Sequence, residues 1–126
     1  MDSEMKKMVE DYVQAYNAFE VAGMIKNLHE QVVFENITNG QVDLSTHGIE
    51  EFEKQAERAK AYFSQREQKI ASWDLSDSQV VINIDYKAVL AISLPNGMKP
   101  GDVLQMKGQS VFEFKGGRIV KIQDKS

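Results

Sequence analysis

Apolar residues recur at Met5, Met8, Val9, Tyr12, Tyr16 and Phe19, the three-to-four spacing that gives a helix one buried stripe, with Ser3 as its cap. A shorter stripe at Val21, Met24, Ile25 and Leu28, with Gly23 inside it, predicts a second helix turning back on the first. The polar triplet His29-Glu30-Gln31 separates it from the next apolar segment. Val32 to Thr38 is rich in β-branched and aromatic residues, and Asn39-Gly40 suits the positive φ angles of a tight hairpin. A returning strand over Val42 to Thr46 is expected. Beyond Gly48 the helical spacing resumes at Ile49, Phe52, Ala56, Ala59 and Phe63, with Glu50 and Glu51 where the positive end of the helix dipole favours acids.

After this third helix the period becomes two. Ile70 to Leu75 reads as a strand, and Val80, Ile82, Ile84, Tyr86, Ala88, Leu90 and Ile92 share one face of a long one. Pro95-Asn96-Gly97 and Lys99-Pro100-Gly101 bracket a loop, because prolines and glycines cannot continue a ladder. A strand over Val103 to Phe114, a Gly116-Gly117 turn and a last strand over Arg118 to Gln123 complete the chain. The order is three helices interleaved with a hairpin, then a four-stranded antiparallel meander. This is an α+β arrangement with helices on one side of a curved sheet, and residues 1–126 are expected to form one domain.

Composition narrows the function classes. A chain of 126 residues, 42% hydrophobic and 27% charged, is large enough to bury one core. Its net charge of −4, with 15 scattered Lys and Arg, argues against nucleic acid as a partner. Cysteine is absent, which removes disulfides, thiolate metal sites and cysteine nucleophiles. No apolar run follows Met1-Asp2-Ser3-Glu4-Met5-Lys6-Lys7 as a signal peptide would need, and nowhere is there a membrane-length apolar stretch. A cytoplasmic protein without membrane contact is expected. Histidine is the usual candidate for a replacement base, but His29 and His47 both fall at expected turns, and two distant histidines make no metal site. Neither a metal nor another cofactor is expected.

The run from Glu10 to Asn36, with its aromatic first helix, short second helix and Val33-Phe34-Glu35-Asn36, resembles the nuclear transport factor 2-like (NTF2-like) superfamily. The closing Gly108-Gln109-Ser110-Val111-Phe112-Glu113-Phe114-Lys115-Gly116-Gly117-Arg118-Ile119 does so too, and SnoaL-like and ketosteroid-isomerase-like proteins resemble it most. The resemblance spans essentially the whole chain. It implies a cystatin-like cone, three N-terminal helices packed on a strongly curved, mostly antiparallel sheet around an apolar pocket, and a homodimer built on the sheet's outer face. Val81, Val89 and Ala91 on the second face of the long strand fit that dimer.

In ketosteroid isomerases a tyrosine of the first helix and an aspartic acid of the sheet hydrogen-bond the substrate oxygen, while an aspartate of the first strand moves the proton. The resemblance carries these positions onto Tyr12, Ser110 and Asn36, so only the tyrosine is retained. An amide cannot abstract a proton near neutral pH, which disfavours the classical isomerase reaction. SnoaL-like cyclases also use an acidic residue, and hydrolases of the superfamily use an Asp-Arg-Asp set. Here Asp85 and Lys87 lie on the face opposite Tyr86, and lysine does not reproduce a guanidinium fork. The hydrolase set is not carried over.

Tyr12 is the candidate catalytic donor, and Tyr16, Asn36, Tyr86, Met106, Ser110 and Phe112 are the candidate ligand-binding residues. Each also has a plainer role. Tyr12 and Tyr16 lie on a core stripe, Asn36 can be a satisfied structural amide, and Ser110 with Gly108 can simply pack under the first helix. Met5, Met8, Met24 and Met106 suit an adaptable lining or core filling. A one-residue slip in register would turn Glu35 inward in place of Asn36. Two function classes stay open. One is a small-molecule-binding domain performing acid/base chemistry, isomerase- or cyclase-like, on an apolar carbonyl-bearing ligand. The other is a non-catalytic binding or dimerisation module whose pocket is plugged by Phe112, Trp73 or Met106.

Overall fold

The computed structural model describes residues 2–126. Helix α1 (Asp2–Asn17) buries Met5, Val9, Tyr12 and Val13, as its apolar stripe requires. It stops at Phe19, which takes a left-handed φ of 60°. The Phe19 N–H then donates to the Tyr16 carbonyl at 3.2 Å and the Glu20 N–H to the Ala15 carbonyl at 2.9 Å, the paired bonds of a Schellman turn. Phe19 therefore leaves the stripe it was expected to extend.

Helix α2 (Val21–Ile25) is shorter than its pattern, because Leu28 already belongs to strand β1 (Leu28–Thr38). The His29-Glu30-Gln31 triplet lies in that strand, not in a turn. Pairing explains the difference: Leu28 is opposite Ile119, and the Ile119 N–H donates to the Asn27 carbonyl at 2.9 Å, whatever the polarity of the neighbouring side chains. The hairpin to β2 (Gln41–His47) turns at Asn39 and Gly40, with φ of 52° and 80°. Helix α3 (Ile49–Lys60) buries Phe52 and Ala56.

Strands β3 (Phe63–Leu75), β4 (Gln79–Leu90), β5 (Val103–Lys115) and β6 (Arg118–Lys125) form the antiparallel meander. Boundaries differ from expectation: β3 begins at Phe63, which was expected on the stripe of the third helix, and not at Ile70; β4 ends at Leu90 and not Ile92; and β6 reaches Lys125 and not Gln123. Residues 64–69 and 124–125, the missed parts of β3 and β6, are polar, so no apolar alternation announces them. The six strands form one sheet in the order β2-β1-β6-β5-β4-β3, with β1 parallel to β6 and every other pair antiparallel. The sheet is thus mostly antiparallel, as expected. The three helices are not all N-terminal: α3 comes after the first hairpin.

Val9, Val32, Val80, Ile82, Phe112, Ile119 and Ile122 are fully buried between the helices and the sheet. The other face of the sheet is polar at its centre, where Asp85 pairs with Lys107 at 3.4 Å and Asn83 and Lys87 are exposed. Glu35 also lies on that face, accepting from Gln123 Nε2 at 2.9 Å, so the register that turns Asn36 inward is the observed one. Among the described residues no helix is long and apolar enough to cross a membrane.

Contact between α1 and α2 depends on Gly23, where an added Cβ would lie 2.8 Å from the Ala15 Cβ. Gly23→Val should destabilise the protein by roughly 1–3 kcal/mol, because the helices would have to part. Urea unfolding measures this; a loss below about 0.5 kcal/mol would show that the pair has slack.

Candidate functional site

Strand register assembles the first part of the site. Leu44 of β2 is opposite Asn36 of β1, Asn36 opposite Asp124 of β6, Asp124 opposite Ser110 of β5, and Ser110 opposite Ile82 of β4. Directly opposed side chains lie on the same face about 5 Å apart. Asn36, Asp124 and Ser110 therefore form a polar row across an otherwise apolar concave face. Ser110, 2% exposed, donates its Oγ–H to Asp124 Oδ1 at 2.6 Å. That short bond to a charged acceptor occupies one carboxylate oxygen and leaves Oδ2 for the cavity. Burial raises the Asp124 pKa to about 6, while the Ser110 bond draws it back down.

A second group lies along β3 and β4. Arg66, Gln68 and Ile70 oppose Ala88, Tyr86 and Ile84. The Tyr16 and Tyr86 hydroxyls are 2.8 Å apart. Either can donate to the other, which leaves the second hydroxyl's proton for a further acceptor. Burial pushes both phenols, and Tyr12, above the ordinary tyrosine value, so all three remain neutral donors near pH 7. Asn17 fixes the end of α1 against this edge: its Nδ2 donates to the Gln68 carbonyl at 3.1 Å, and the Gln68 N–H donates to Asn17 Oδ1 at 2.7 Å. Arg66 Nε donates to the Tyr16 carbonyl at 2.8 Å, with its guanidinium 3.7 Å from the Tyr16 ring centroid and 4.5 Å from that of Phe19.

Between helices and sheet lies a cavity with two lobes. The larger, about 380 Å³, is bounded by Tyr16, Tyr86, Phe63, Gln68, Ile84, Met106, Gly108 and Ser110. The smaller, about 160 Å³, lies under α3 and is bounded by Tyr12, Phe34, Phe52, Gln55 and Arg66. Tyr16, Asn36 and Asp124 line both, so the carboxyl stands where the lobes meet. Gly108, in the wall of the larger lobe, lets β5 lie close to the end of β6, since a Cβ there would approach the Lys125 carbonyl oxygen to 3.1 Å.

Most of the site residues expected from the sequence reach this cavity. Tyr16, Asn36, Tyr86, Met106 and Ser110 line the larger lobe and Tyr12 the smaller, where it also packs edge-on against Phe112 at 5.5 Å. Phe112 is fully buried in the core and reaches neither lobe, because its partner in the register is Ile122, one pair deeper than Ser110 and Asp124. Met106 is 42% exposed and sits at the rim. Asn36 donates Nδ2 to Asp43 Oδ1 at 2.8 Å, and Thr38 donates to the same carboxylate at 2.8 Å, bonds that hold the Asp43 pKa below its ordinary value. The amide thus ties the hairpin together while facing the cavity. Asp85 and Lys87 point away from it.

Asp124, Arg66 and Gln68 escaped the sequence reading. For Asp124 one signal was present: Ile122 faces the core, so alternation continued by two residues turns Asp124 inward. For Arg66 and Gln68 the signal is weaker, since their segment is polar on both faces. Among the described residues no group of three or more His, Asp or Glu side chains could hold a metal ion.

The carboxyl's environment predicts a pH dependence. The folded-state pKa of Asp124, about 6, exceeds its ordinary 3.8, so the native state holds the proton more tightly than the unfolded chain. Its favourable contribution is complete below the ordinary value and is lost as pH rises through the folded one. Asp124→Asn should therefore match the wild type in stability at pH 4 and exceed it at pH 7 by on the order of 2 kcal/mol, read from urea unfolding at both pH values. Ser110→Ala should raise the Asp124 pKa further, by removing the bond that lowers it; carboxyl-carbon NMR titration reads the shift.

The sequence profile of the SnoaL-like domain matches residues 9–122. No curated protein sequence matches the chain. Several solved structures share the fold. A protein assigned as a polyketide cyclase from Xanthomonas campestris pv. campestris superposes with a TM-score of 0.83 at 16% identity, covering 98% of this chain and 90% of that one. An LEH-like epoxide hydrolase from M. tuberculosis gives 0.77 at 19% identity, covering 98% and 82%. A protein with a ketosteroid isomerase-like fold from Catenulispora acidiphila, solved in complex with trimethylamine, gives 0.75 at 13%, covering 93% and 82%. At such identities the likeness is one of fold. With the profile spanning nearly all of the chain, from helix α1 to strand β6, and the fold shared with ketosteroid-isomerase-like proteins, the protein belongs to the SnoaL-like domain family.

Proposed function

We propose that this single domain binds an apolar, carbonyl-bearing small molecule and performs acid/base chemistry on it, with Asp124 as the proton-transferring group. The observation that carries the reading is a carboxyl at the junction of two cavity lobes, fixed through one oxygen by Ser110 and with its pKa raised to about 6. A carboxylate with a pKa near 6 is largely ionised at pH 7 yet a stronger base than an ordinary aspartate. It takes a proton from a carbon next to the ligand carbonyl. The Tyr16–Tyr86 pair donates its free hydroxyl proton to the oxygen as negative charge builds there, the role of an oxyanion hole. Return of the proton to another carbon gives an isomerisation, and attack of the enolate on a second carbonyl of the same molecule gives a cyclisation. Tyr12 serves the smaller lobe as an additional donor, and Asn36 shapes the wall. Apolar walls of Ile84, Phe63, Leu104 and Met106 favour a ligand with little polar surface.

The exchange of the C1 protons of 2-tetralone in D2O, followed by proton NMR, tests the reading without the natural substrate. The protein should accelerate exchange over buffer, with a rate that rises as pH passes through about 6. Asp124→Asn should reduce the acceleration by about 100-fold or more, and Tyr16→Phe by a smaller factor. Full acceleration in Asp124→Asn would exclude this carboxyl as the base.

The same reading has the domain work in the cytoplasm as a homodimer associating through the outer sheet face, where half-buried Val81 and Val89 and the 51% exposed Val103 border the polar centre. Sedimentation velocity at micromolar concentration should give a species of twice the 14.3 kDa chain mass, and a clean monomer would sink this part.

A further inference from the structure

Three buried polar atoms among the described residues have no hydrogen-bond partner: Thr46 Oγ1, Arg66 Nη2 and Gln68 Oε1. Two of the three belong to residues on the cavity wall, Arg66 in the smaller lobe and Gln68 in the larger. Arg66 is 6% exposed, and none of the ion pairs among the described residues includes it. Asp124 lines the same lobe without bonding to it. A guanidinium cannot become neutral by losing its proton as a buried lysine can, so it carries its charge into this setting. It is also held rigidly, since Nε is committed to the Tyr16 carbonyl and the plane lies between the Tyr16 and Phe19 rings. A fixed, buried cation on a cavity wall, with no ion-pair partner among the described residues, is suited to one class of partner. That partner is an oxygen anion.

We infer that Arg66 is the binding site for an anionic oxygen of the ligand, a carboxylate or a vinylogous acid enolate, so that the natural ligand is an apolar acid and not a neutral ketone. Gln68, two residues along the same strand face, offers a bare acceptor roughly 7 Å away along the strand, which suits a hydroxyl on the same molecule. The ligand's acidic end enters the smaller lobe beneath α3. Its carbonyl-bearing remainder then passes Asp124 into the larger lobe. This rests on the reading of the cavity as a ligand site, but not on Asp124 acting as a base.

Binding of 2-naphthoate and of its neutral counterpart 2-acetonaphthone, measured at pH 7.5 by NMR chemical-shift titration, provides the test. Wild-type protein should bind the naphthoate at least about tenfold more tightly than the ketone. Arg66→Met should abolish that preference while keeping the affinity for the ketone, and Arg66→Lys, which keeps the charge and loses the fork, should retain part of it. Asp124→Asn removes a negative charge from the lobe and should strengthen the preference, whereas its proton-exchange rate falls, which separates failure of this inference from failure of the proposed base. Equal affinity for the two probes, absence of naphthoate saturation at millimolar concentration, or a preference unchanged in both Arg66 variants would overturn it.

Discussion

The parallel pairing of β1 with β6 is the constraint on which the rest of the molecule depends. A meander of four antiparallel strands is local and needs only turns, whereas joining the first strand to the last closes a loop of most of the chain. That junction brings the N-terminal hairpin beside the meander, lets α1 and α3 cover one concave face, and creates the volume between them. It also sets the register that aligns Asn36 with Asp124 and, through β5, with Ser110. Backbone bonds extend it past the end of the row: the Ser126 N–H donates to the Ile37 carbonyl at 2.9 Å, and the Asn39 N–H to the Ser126 carbonyl at 3.1 Å. A shift of one residue here would turn Asp124 out of the cavity and Gln123 in.

On this frame the deepest part of the cone is apolar, and most of the unsatisfied polar groups lie round the cavity. Asp124 loses hydration, Arg66 holds an unpartnered charge, and Gln68 leaves an acceptor bare. Each of these would favour unfolding if the cavity existed only to be filled. They lie round the two lobes on strands β6 and β3, and Ser110, Asn17 and the Tyr16 carbonyl hold them in place. Even the turn after α1 contributes, since the left-handed Phe19, costly for a residue with a Cβ, brings its ring over the Arg66 guanidinium.

Much of the fold was legible in side-chain periodicity. The stripe of α1, the Asn39-Gly40 hairpin and the inward face of β4 are set by spacing alone, because burial of apolar groups and the sterics of turns act over a few residues. Segments whose structure is imposed from elsewhere were not legible. Leu28 to Gln31 joins β1 through pairing with β6, and Phe63 to Lys69 joins β3 although Arg66 and Gln68 break any apolar alternation. The site was legible in the same uneven way. Tyr16, Tyr86, Asn36 and Ser110 lie on faces that the sequence orients inward, whereas Phe112 lies on the same face but too deep to reach the cavity. Face can be read from period two, but depth along the cone cannot.

By itself the sequence determined the fold class, the inward faces of most strands, and the absence of a base at Asn36, since an amide cannot be one in any environment. Only the tertiary structure brought a carboxyl to the cavity beside it. An aspartate two residues beyond the last apolar position of β6 is indistinguishable in sequence from a solvated strand end. It becomes a carboxyl whose pKa desolvation raises because the strands carrying Asn36 and Ser110, distant in the chain, flank it in the sheet. The physical reason is that periodicity reports local burial, while the proton affinity of a group depends on the dielectric and hydrogen bonds that remote segments bring to it.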